Sequence, residues 1–235
     1  MIPIAGGFGQ WREAVKAGRV PCPGCGNPLS PRGFAPPLGR TRGAPASIEG
    51  LGPGGERIRT WCRHCRAGHT LLPAVLVSRR ADTAGTLGQA VTAHAGHGRN
   101  ASQVAAGLGV PRRTVAGWLA QAKAFAARHA ARFTGLMNAL GAPLEALPLV
   151  PSRDPVRELL TSLLAVTGAA ARRWGTLGTG YWERVNLACG GRFFSGSPRL
   201  PDYPELATPW PHNCCPGRES PGPAPHPSPG RQSRW

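Results

Sequence analysis

The sequence predicts a mainly α-helical protein with a small β unit close to its N-terminus. Two C-x-x-C pairs, at residues 22–25 and 62–65, predict the β unit. Short segments with apolar residues at helical spacing begin after residue 83 and predict the helices. From residue 198 to the end, 11 of 38 residues are proline, which predicts a disordered tail.

Composition and charge limit the classes of function. With 33 Gly and 26 Pro among 235 residues, the chain favours several small units over one large core. Lys and Arg number 28 against 11 acidic residues, and the formal charge of +17 favours a polyanionic partner, although a GC-rich genome would also enrich arginine. No apolar run approaches the ~20 residues of a membrane helix, and the first residues lack the pattern of a secretory signal. We therefore expect a cytoplasmic protein without a membrane segment.

The cysteine pairs have the arrangement of a structural zinc ribbon. Such a site takes four thiolates, two from each knuckle, and the predicted Zn²⁺ ligands are Cys22, Cys25, Cys62 and Cys65. The 36 residues between the pairs exceed the usual spacing of roughly 15–20. Their richness in Pro, Gly and Arg predicts a loop, followed by a strand over residues 55–61. Residues 69–80 predict the closing strand and a linker.

Some details of this unit leave alternatives open. His64 and His69 are near enough to replace a ligand, although four thiolates complete a structural site. Arg66 stands where a glycine is expected after the second pair, whereas Gly26 follows the first. Catalytic zinc would need an accompanying acid or base motif, redox chemistry would not need two pairs, and disulfides are not expected in a reducing cytoplasm. One short helix, over residues 10–17, precedes the ribbon.

The helical part is centred on residues 100–121, which predict two short helices joined by a tight turn. Asn100 can cap the first helix, with Gln103 in the capping-box position. Gly109 suits a left-handed turn conformation without steric cost. A further helix over residues 86–94 precedes the pair, so the segment predicts a helix-turn-helix domain.

The second helix of this pair has the features of a DNA-recognition helix. Val115 and Trp118 give it a buried side, while its outward side carries two arginines followed by small residues. Such a surface can enter a major groove, where arginine contacts base edges and phosphates. The predicted DNA-contacting residues are Gln103, Pro111, Arg112, Arg113, Thr114, Ala116 and Gly117. No acidic residue lies between Asp82 and Glu145; an ordinary alanine-rich bundle is the alternative interpretation.

Further helices are predicted over residues 123–140, from Asp154-Pro155 onward, and over residues 181–188. The last two have too few apolar residues for an independent core, so they either pack on the helix-turn-helix or form a homodimer surface. Cys189 is expected as a small buried residue. The predicted sequence of units is an N-terminal segment, the zinc ribbon, the helix-turn-helix domain, a C-terminal helical segment and the disordered tail, over residues 1–19, 20–80, 83–142, 154–194 and 198–235.

Four of these segments resemble a known family when they are taken together. They are C-P-G-C-G, I-R-T-W-C-R-H-C-R-A-G-H-T-L-L-P-A-V-L-V-S-R-R-A-D, A-x-x-x-G-V-P-x-x-T-V-x-x-W-L and W-E-R-V-N-L-A-C-G-G-R-F-F. Over about residues 20–125 and 182–194, the chain resembles an uncharacterised bacterial zinc-ribbon and helix-turn-helix family that looks related to the DNA-binding front ends of transposases. The resemblance implies a zinc site at the four cysteines and DNA contact through the helix beginning at Pro111. It implies no activity.

These observations lead to three hypotheses. The first is a protein that binds double-stranded DNA in a sequence-specific manner, either a transcription regulator or a mobile-element accessory factor. The second is an adaptor that binds a protein partner through the ribbon or the C-terminal helices. The third is a transposase or recombinase, or a transposase-derived remnant without catalysis. We do not expect an enzyme, because a nuclease needs a set of metal-binding carboxylates, and few acidic residues follow the helix-turn-helix.

Overall fold

A computed structural model describes residues 1–37, 48, 50–53, 55–78, 80–139, 154–174, 180–191 and 193. The predicted linker over 141–153, the predicted tail over 198–235, and Cys214 and Cys215 lie outside the described residues. The elements in chain order are β1 (Ile2–Ile4), α1 (Phe8–Lys16), β2 (Leu29–Ala35), β3 (Arg57–Cys62), β4 (Gly68–Pro73), α2 (Ala84–Ala95), α3 (Ala101–Leu108), α4 (Arg112–Ala139), α5 (Pro155–Trp174) and α6 (Tyr181–Ala188). The described part of the chain is therefore mixed α/β. A β unit is present as predicted, but its four-stranded sheet is larger than the small ribbon that was expected in a mainly α-helical fold.

The four strands form one sheet in the order β1-β4-β3-β2. β2 and β3 pair antiparallel, as do β3 and β4, whereas β1 runs parallel to β4 with Ile2 opposite Leu71. The sheet is larger than predicted for two reasons. β1 is only three residues long, too short for its sequence to show a period, and β2 lies at the start of a Pro- and Gly-rich stretch that was expected to be a loop.

Helix α1 covers one side of this sheet. Trp11, Ala14 and Val15 recur at helical spacing and are buried, and they pack with apolar side chains of all four strands. The indole N–H of Trp11 donates to the carbonyl oxygen of Ala5 at 2.6 Å, which satisfies its one polar group inside the core. Residues 1–19 therefore share a sheet and a core with the cysteine-bearing residues.

Helices α2, α3 and α4 pack on one another around a second core. The predicted capping box at the start of α3 is confirmed: the Asn100 side chain accepts from the N–H of Gln103, and the Gln103 side chain accepts from the N–H of Asn100. The left-handed conformation of Gly109 is confirmed as well, with φ of 64°. The turn between α3 and α4 is thus defined by local chemistry at both ends of α3.

Helix α4 differs from the prediction. It is one continuous helix of 28 residues, where separate helices were predicted over 111–121 and 123–140. Its buried residues continue through Ala122, Phe125 and Ala126 at helical spacing after Trp118, so the same face stays against the core and nothing interrupts the backbone.

The last two helices pack back on this core, which was one of the two predicted arrangements. Asp154 caps α5 by accepting from the N–H of Val156 at 3.0 Å, and α6 spans its predicted residues. Side chains of α5 and α6 join those of α2 and α4 in a single apolar cluster, which also holds the buried Cys189. Phe193 meets Phe125 of α4 edge to face, with 4.9 Å between ring centroids.

The two cores meet where β4 leads into α2. The amide nitrogen of Asn186 on α6 donates to the carbonyl oxygens of Ala74 and Leu76, at 2.8 and 3.1 Å. The N–H of Ala84 donates to the oxygen of Val75 at 2.9 Å. The junction is therefore held by two buried hydrogen bonds from Asn186, between residues more than 100 positions apart, and by one local backbone hydrogen bond. Within the described helices, none has the length and hydropathy that crossing a membrane requires.

Candidate metal centre and candidate nucleic-acid interface

The four predicted ligands come together at one end of the sheet. The Sγ atoms of Cys22 and Cys65 are 3.5 Å apart, those of Cys25 and Cys62 are 3.4 Å apart, and all four lie within 4.8 Å of one another. A tetrahedral site with metal–sulfur bonds of about 2.3 Å would place its sulfurs about 3.8 Å apart. The four cysteines therefore form a cluster that fits one metal ion, as predicted.

Two knuckles of the same geometry present these sulfurs. The N–H of Cys22 donates to the oxygen of Asn27 at 2.7 Å, and the N–H of Cys62 donates to that of Ala67 at 2.9 Å, so each pair closes a loop of the same length. The residue after each pair has a left-handed backbone: Gly26 with φ of 72° and Arg66 with φ of 55°. The second knuckle thus keeps the geometry of the first even though it lacks the expected glycine.

The thiols differ in environment before a metal binds. Burial raises the pKa of Cys22 to about 12, whereas the backbone N–H of Asn27 lowers the pKa of Cys25 to about 6. At neutral pH, Cys25 therefore presents a thiolate more readily than Cys22 does. Because metal binding must remove the proton from Cys22, the affinity for metal falls as the pH falls.

His69 lies beside the cluster as a neighbour of its ligands. Its Nε2 is 3.4 Å from the Sγ of Cys22, and its pairing with Thr60 across β3 and β4 places it on the face that carries Cys62. Burial, and then the charge of the N-terminus, lowers its pKa, so the ring is neutral at pH 7 and can donate a hydrogen bond to a metal-bound thiolate. The sequence suggested His69 as a substitute ligand but not this role.

The start of α4 has one buried side and one exposed side. Val115 is fully buried and Trp118 is 3% exposed, and both pack against α2 and α3. Thr114 is half-buried. Arg112, Arg113, Ala116 and Gly117 are exposed. We call these last four residues, together with Ala120, the leading face of α4; all five follow the turn at Gly109.

Two other predicted DNA-contacting residues, Gln103 and Pro111, accept hydrogen bonds from backbone N–H groups at the starts of α3 and α4. The Oε1 of Gln103 is engaged in the cap of α3, at 3.0 Å from the Asn100 nitrogen. The carbonyl oxygen of Pro111 accepts from the N–H groups of Thr114 and Val115, so α4 begins at Arg112, one residue later than predicted. Lys123 and Arg128, which were not among the predicted contacts, are exposed on the continuation of the same helix.

No family model matches the chain, and comparison with curated proteins and with solved structures finds no match. The motif resemblance described above therefore remains a resemblance in sequence. What the structure adds is a four-cysteine cluster of the zinc-ribbon type.

Proposed function

We propose that this chain binds duplex DNA, using α3, the turn at Gly109 and the leading face of α4 as a helix-turn-helix. The observation that carries the proposal is the division of α4 into a buried side and a leading face. Arg112 and Arg113 at the helix start share the leading face with three residues that have little or no side chain, Ala116, Gly117 and Ala120. All five residues are exposed.

The dimensions of the major groove explain why a helix face with two arginines and several small residues suits DNA. The groove is about 12 Å wide, close to the diameter of about 10–12 Å of a helix with its side chains. Small residues at Ala116, Gly117 and Ala120 let the helix backbone approach the base edges. Arg112 or Arg113 can then form the paired hydrogen bonds to guanine, while the other contacts phosphate.

The surrounding charge supports the same proposal. No acidic residue lies between Asp82 and Glu145, so α2, α3 and α4 have no acidic side chain, and the Lys and Arg residues of these three helices all belong to α4. The continuous α4 extends its basic surface from Arg113 to Lys123 and Arg128. Such a surface releases condensed counterions from DNA on binding, which favours association at low salt.

We also propose that the cysteine cluster holds Zn²⁺ with a structural role. Four thiolates in a tetrahedral arrangement favour zinc or iron over hard cations. Because all four positions are taken by protein ligands, no position remains for a reacting water. The cluster would then stabilise the sheet, and the role of the chain would be that of a transcription regulator or a mobile-element accessory factor.

The test is a binding selection over randomised duplexes, with the wild-type chain, Arg112→Ala and Arg113→Ala. We expect the wild type to enrich one sequence. The variant that loses a guanine contact should relax the preference at one base pair, at a cost of roughly 1–3 kcal/mol, and the other should weaken all sites about equally.

Arg157→Ala is the matched control, because Arg157 is exposed on α5 and its loss removes the same charge from the same helical unit. It should leave the selected sequence unchanged. If the wild type enriches no sequence, DNA reading fails and the adaptor hypothesis replaces it. If both α4 variants keep the full preference, the reading surface lies elsewhere.

A further inference from the structure

On the side opposite α1, the β2–β3 half of the N-terminal sheet is exposed and basic, whereas Pro3 of β1 and Leu72 of β4 are buried. Along β3, the residues Ile58, Thr60 and Cys62 are buried, and Ile58 packs in the core with Trp11 of α1. Because side chains alternate along a strand, Arg59 and Trp61 lie on the other side of the sheet. Arg59 is exposed and Trp61 is half-buried.

A β-bulge in β2 adds a second arginine to this side. Pro31 pairs with Thr60 and Phe34 pairs with Ile58, so two residues, Arg32 and Gly33, stand opposite the single residue Arg59. Gly33 has φ of 90°, a conformation that a side chain would disfavour. Bulges redirect side chains, and this one places Arg32 on the same side of the sheet as Trp61.

The Arg32 side chain is held in place by an aromatic ring. Its guanidinium carbon lies 4.4 Å from the centre of the Trp61 ring, in cation–π geometry. The ring itself lies against Gly68, where an added Cβ would be 3.7 Å from the indole. Arg32 therefore loses little side-chain freedom when it forms a further hydrogen bond.

The N-terminal part of the chain is strongly basic. The described residues up to position 78 include eight Lys and Arg against two acidic residues, a net charge of +6. The salt bridge between Lys16 and Glu13 lies within α1, on the other side of the sheet. We call Arg32, Arg59, Trp61 and the neighbouring Thr70 the outer sheet face; Thr70 pairs with Arg59 on β4.

We infer that the outer sheet face binds the phosphate backbone of duplex DNA, as a second contact beside the one made by α4. Guanidinium groups match phosphate geometry, and the Thr70 hydroxyl supplies a further donor. Single-stranded nucleic acid fits less well, because it requires open aromatic faces for base stacking, and Arg32 covers Trp61. Phe34, the aromatic residue of β2, lies against Phe8 on the α1 side. This inference rests on the proposed function, since it assigns the same partner to a second surface.

The experiment measures the salt dependence of binding to one duplex, long enough to extend beyond the site selected by α4. Four full-length proteins are compared: wild type, Arg32→Ala/Arg59→Ala, Lys16→Ala/Arg19→Ala and Arg112→Ala/Arg113→Ala. The second double variant is the matched control, because it removes two exposed charges on or just after α1. The outer-face variant should show a slope less steep by about 1.8 in log K against log salt, since each lost phosphate contact accounts for about 0.9. It should also shorten the footprint on the duplex.

Several outcomes separate this inference from the proposed function. An unchanged slope in the outer-face variant, with weaker binding by the α4 variant, overturns the inference alone. Equal effects of the outer-face variant and its α1 control also overturn it, because general charge would then explain the result. If the outer-face variant is impaired and the α4 variant is not, the inference stands and the proposed reading surface fails. If the wild type binds no duplex, both fail.

Two further measurements keep the result interpretable. Arg59→Gln alone changes one exposed strand residue without disturbing the Arg32–Trp61 stack, and it should reduce the slope by about 0.9. All variants should keep the metal content and circular dichroism of the wild type.

If the outer-face variant loses binding to a single-stranded probe but not to the duplex, the assignment to duplex DNA is wrong. If it binds every nucleic acid as the wild type does, the face serves a protein partner or none.

Discussion

Arg66 has an unusual backbone conformation for a residue with a side chain. Its φ of 55° lies in the left-handed region, and it is the one non-glycine residue in the described part of the chain with a positive φ. An L-residue in this region costs roughly 1–2 kcal/mol relative to glycine. The second knuckle tolerates this cost because the cysteines on either side of His64 are held by the cluster.

We expect Arg66→Gly to stabilise the metal-loaded protein by about 1 kcal/mol, because glycine adopts this conformation without strain. The measurement is the free energy of unfolding of the N-terminal unit in denaturant, at fixed zinc concentration. Arg66→Ala is the control, since it removes the same charge and keeps the strain. Gly26→Ala should act in the opposite direction. If Arg66→Gly is no more stable than Arg66→Ala, strain at this position is not significant.

At the scale of elements, the contact between α2 and α6 depends on one glycine. A Cβ at Gly88 would lie 1.9 Å from the indole of Trp182, so the two helices approach closely only because this side chain is absent. Trp182 also meets Tyr181 edge to face, with 4.9 Å between ring centroids, which restricts its movement. The last helix is therefore positioned by a glycine on α2 as well as by Asn186.

We expect Gly88→Ala to destabilise the helical unit by roughly 1–3 kcal/mol, as overpacking of a close contact does. Gly85→Ala is the matched control on the same helix, because its Cβ would meet only the Thr83 oxygen at 3.7 Å. That variant should be neutral or stabilise α2 by up to about 1 kcal/mol through higher helix propensity. Thermal unfolding of both variants tests the contact. Equal melting temperatures would mean that Trp182 moves aside at little cost.

At the scale of the whole molecule, two cores are joined by a hydrogen-bonded junction, and we expect them to be stabilised in different ways. The N-terminal core is small, and units of this size rarely gain more than about 3–5 kcal/mol from their apolar core alone. A structural zinc site contributes apparent energies of about 10–16 kcal/mol. The helical core is the larger cluster of buried residues, and its described residues contain no further group of candidate metal ligands.

Elemental analysis of the purified chain should therefore find one zinc per molecule, and a chelator should unfold the sheet while the helices persist. Hydrogen exchange is the measurement: β1 to β4 and α1 should lose protection, whereas α2, α3 and α5 should keep it. Re-addition of zinc is the control and should restore the sheet. Iron in place of zinc would contradict the metal assignment. Simultaneous loss of protection in the helices would mean that the Asn186 junction makes the two cores one cooperative unit.

Several features could be predicted from the sequence because they depend on local chemistry. The four cysteines were identified from spacing alone, since a knuckle needs only two ligands three positions apart and a backbone that turns. The capping box at Asn100, the turn at Gly109 and the cap at Asp154 are also set by residues within a few positions of one another. The buried positions of Val115 and Trp118 followed from helical periodicity.

Other features were decided only by the tertiary structure, because each depends on residues that are distant in the chain. β1 is a strand because β4 offers it a partner about 70 residues later, and α4 is continuous because α2 and α5 cover its apolar face along its length. The contact between His69 and Cys22 and the position of Arg32 over Trp61 arise only when the strands pair. Local sequence encodes turns, caps and ligand spacing. Pairing and burial depend on which surfaces meet, and that is established only when the whole chain folds.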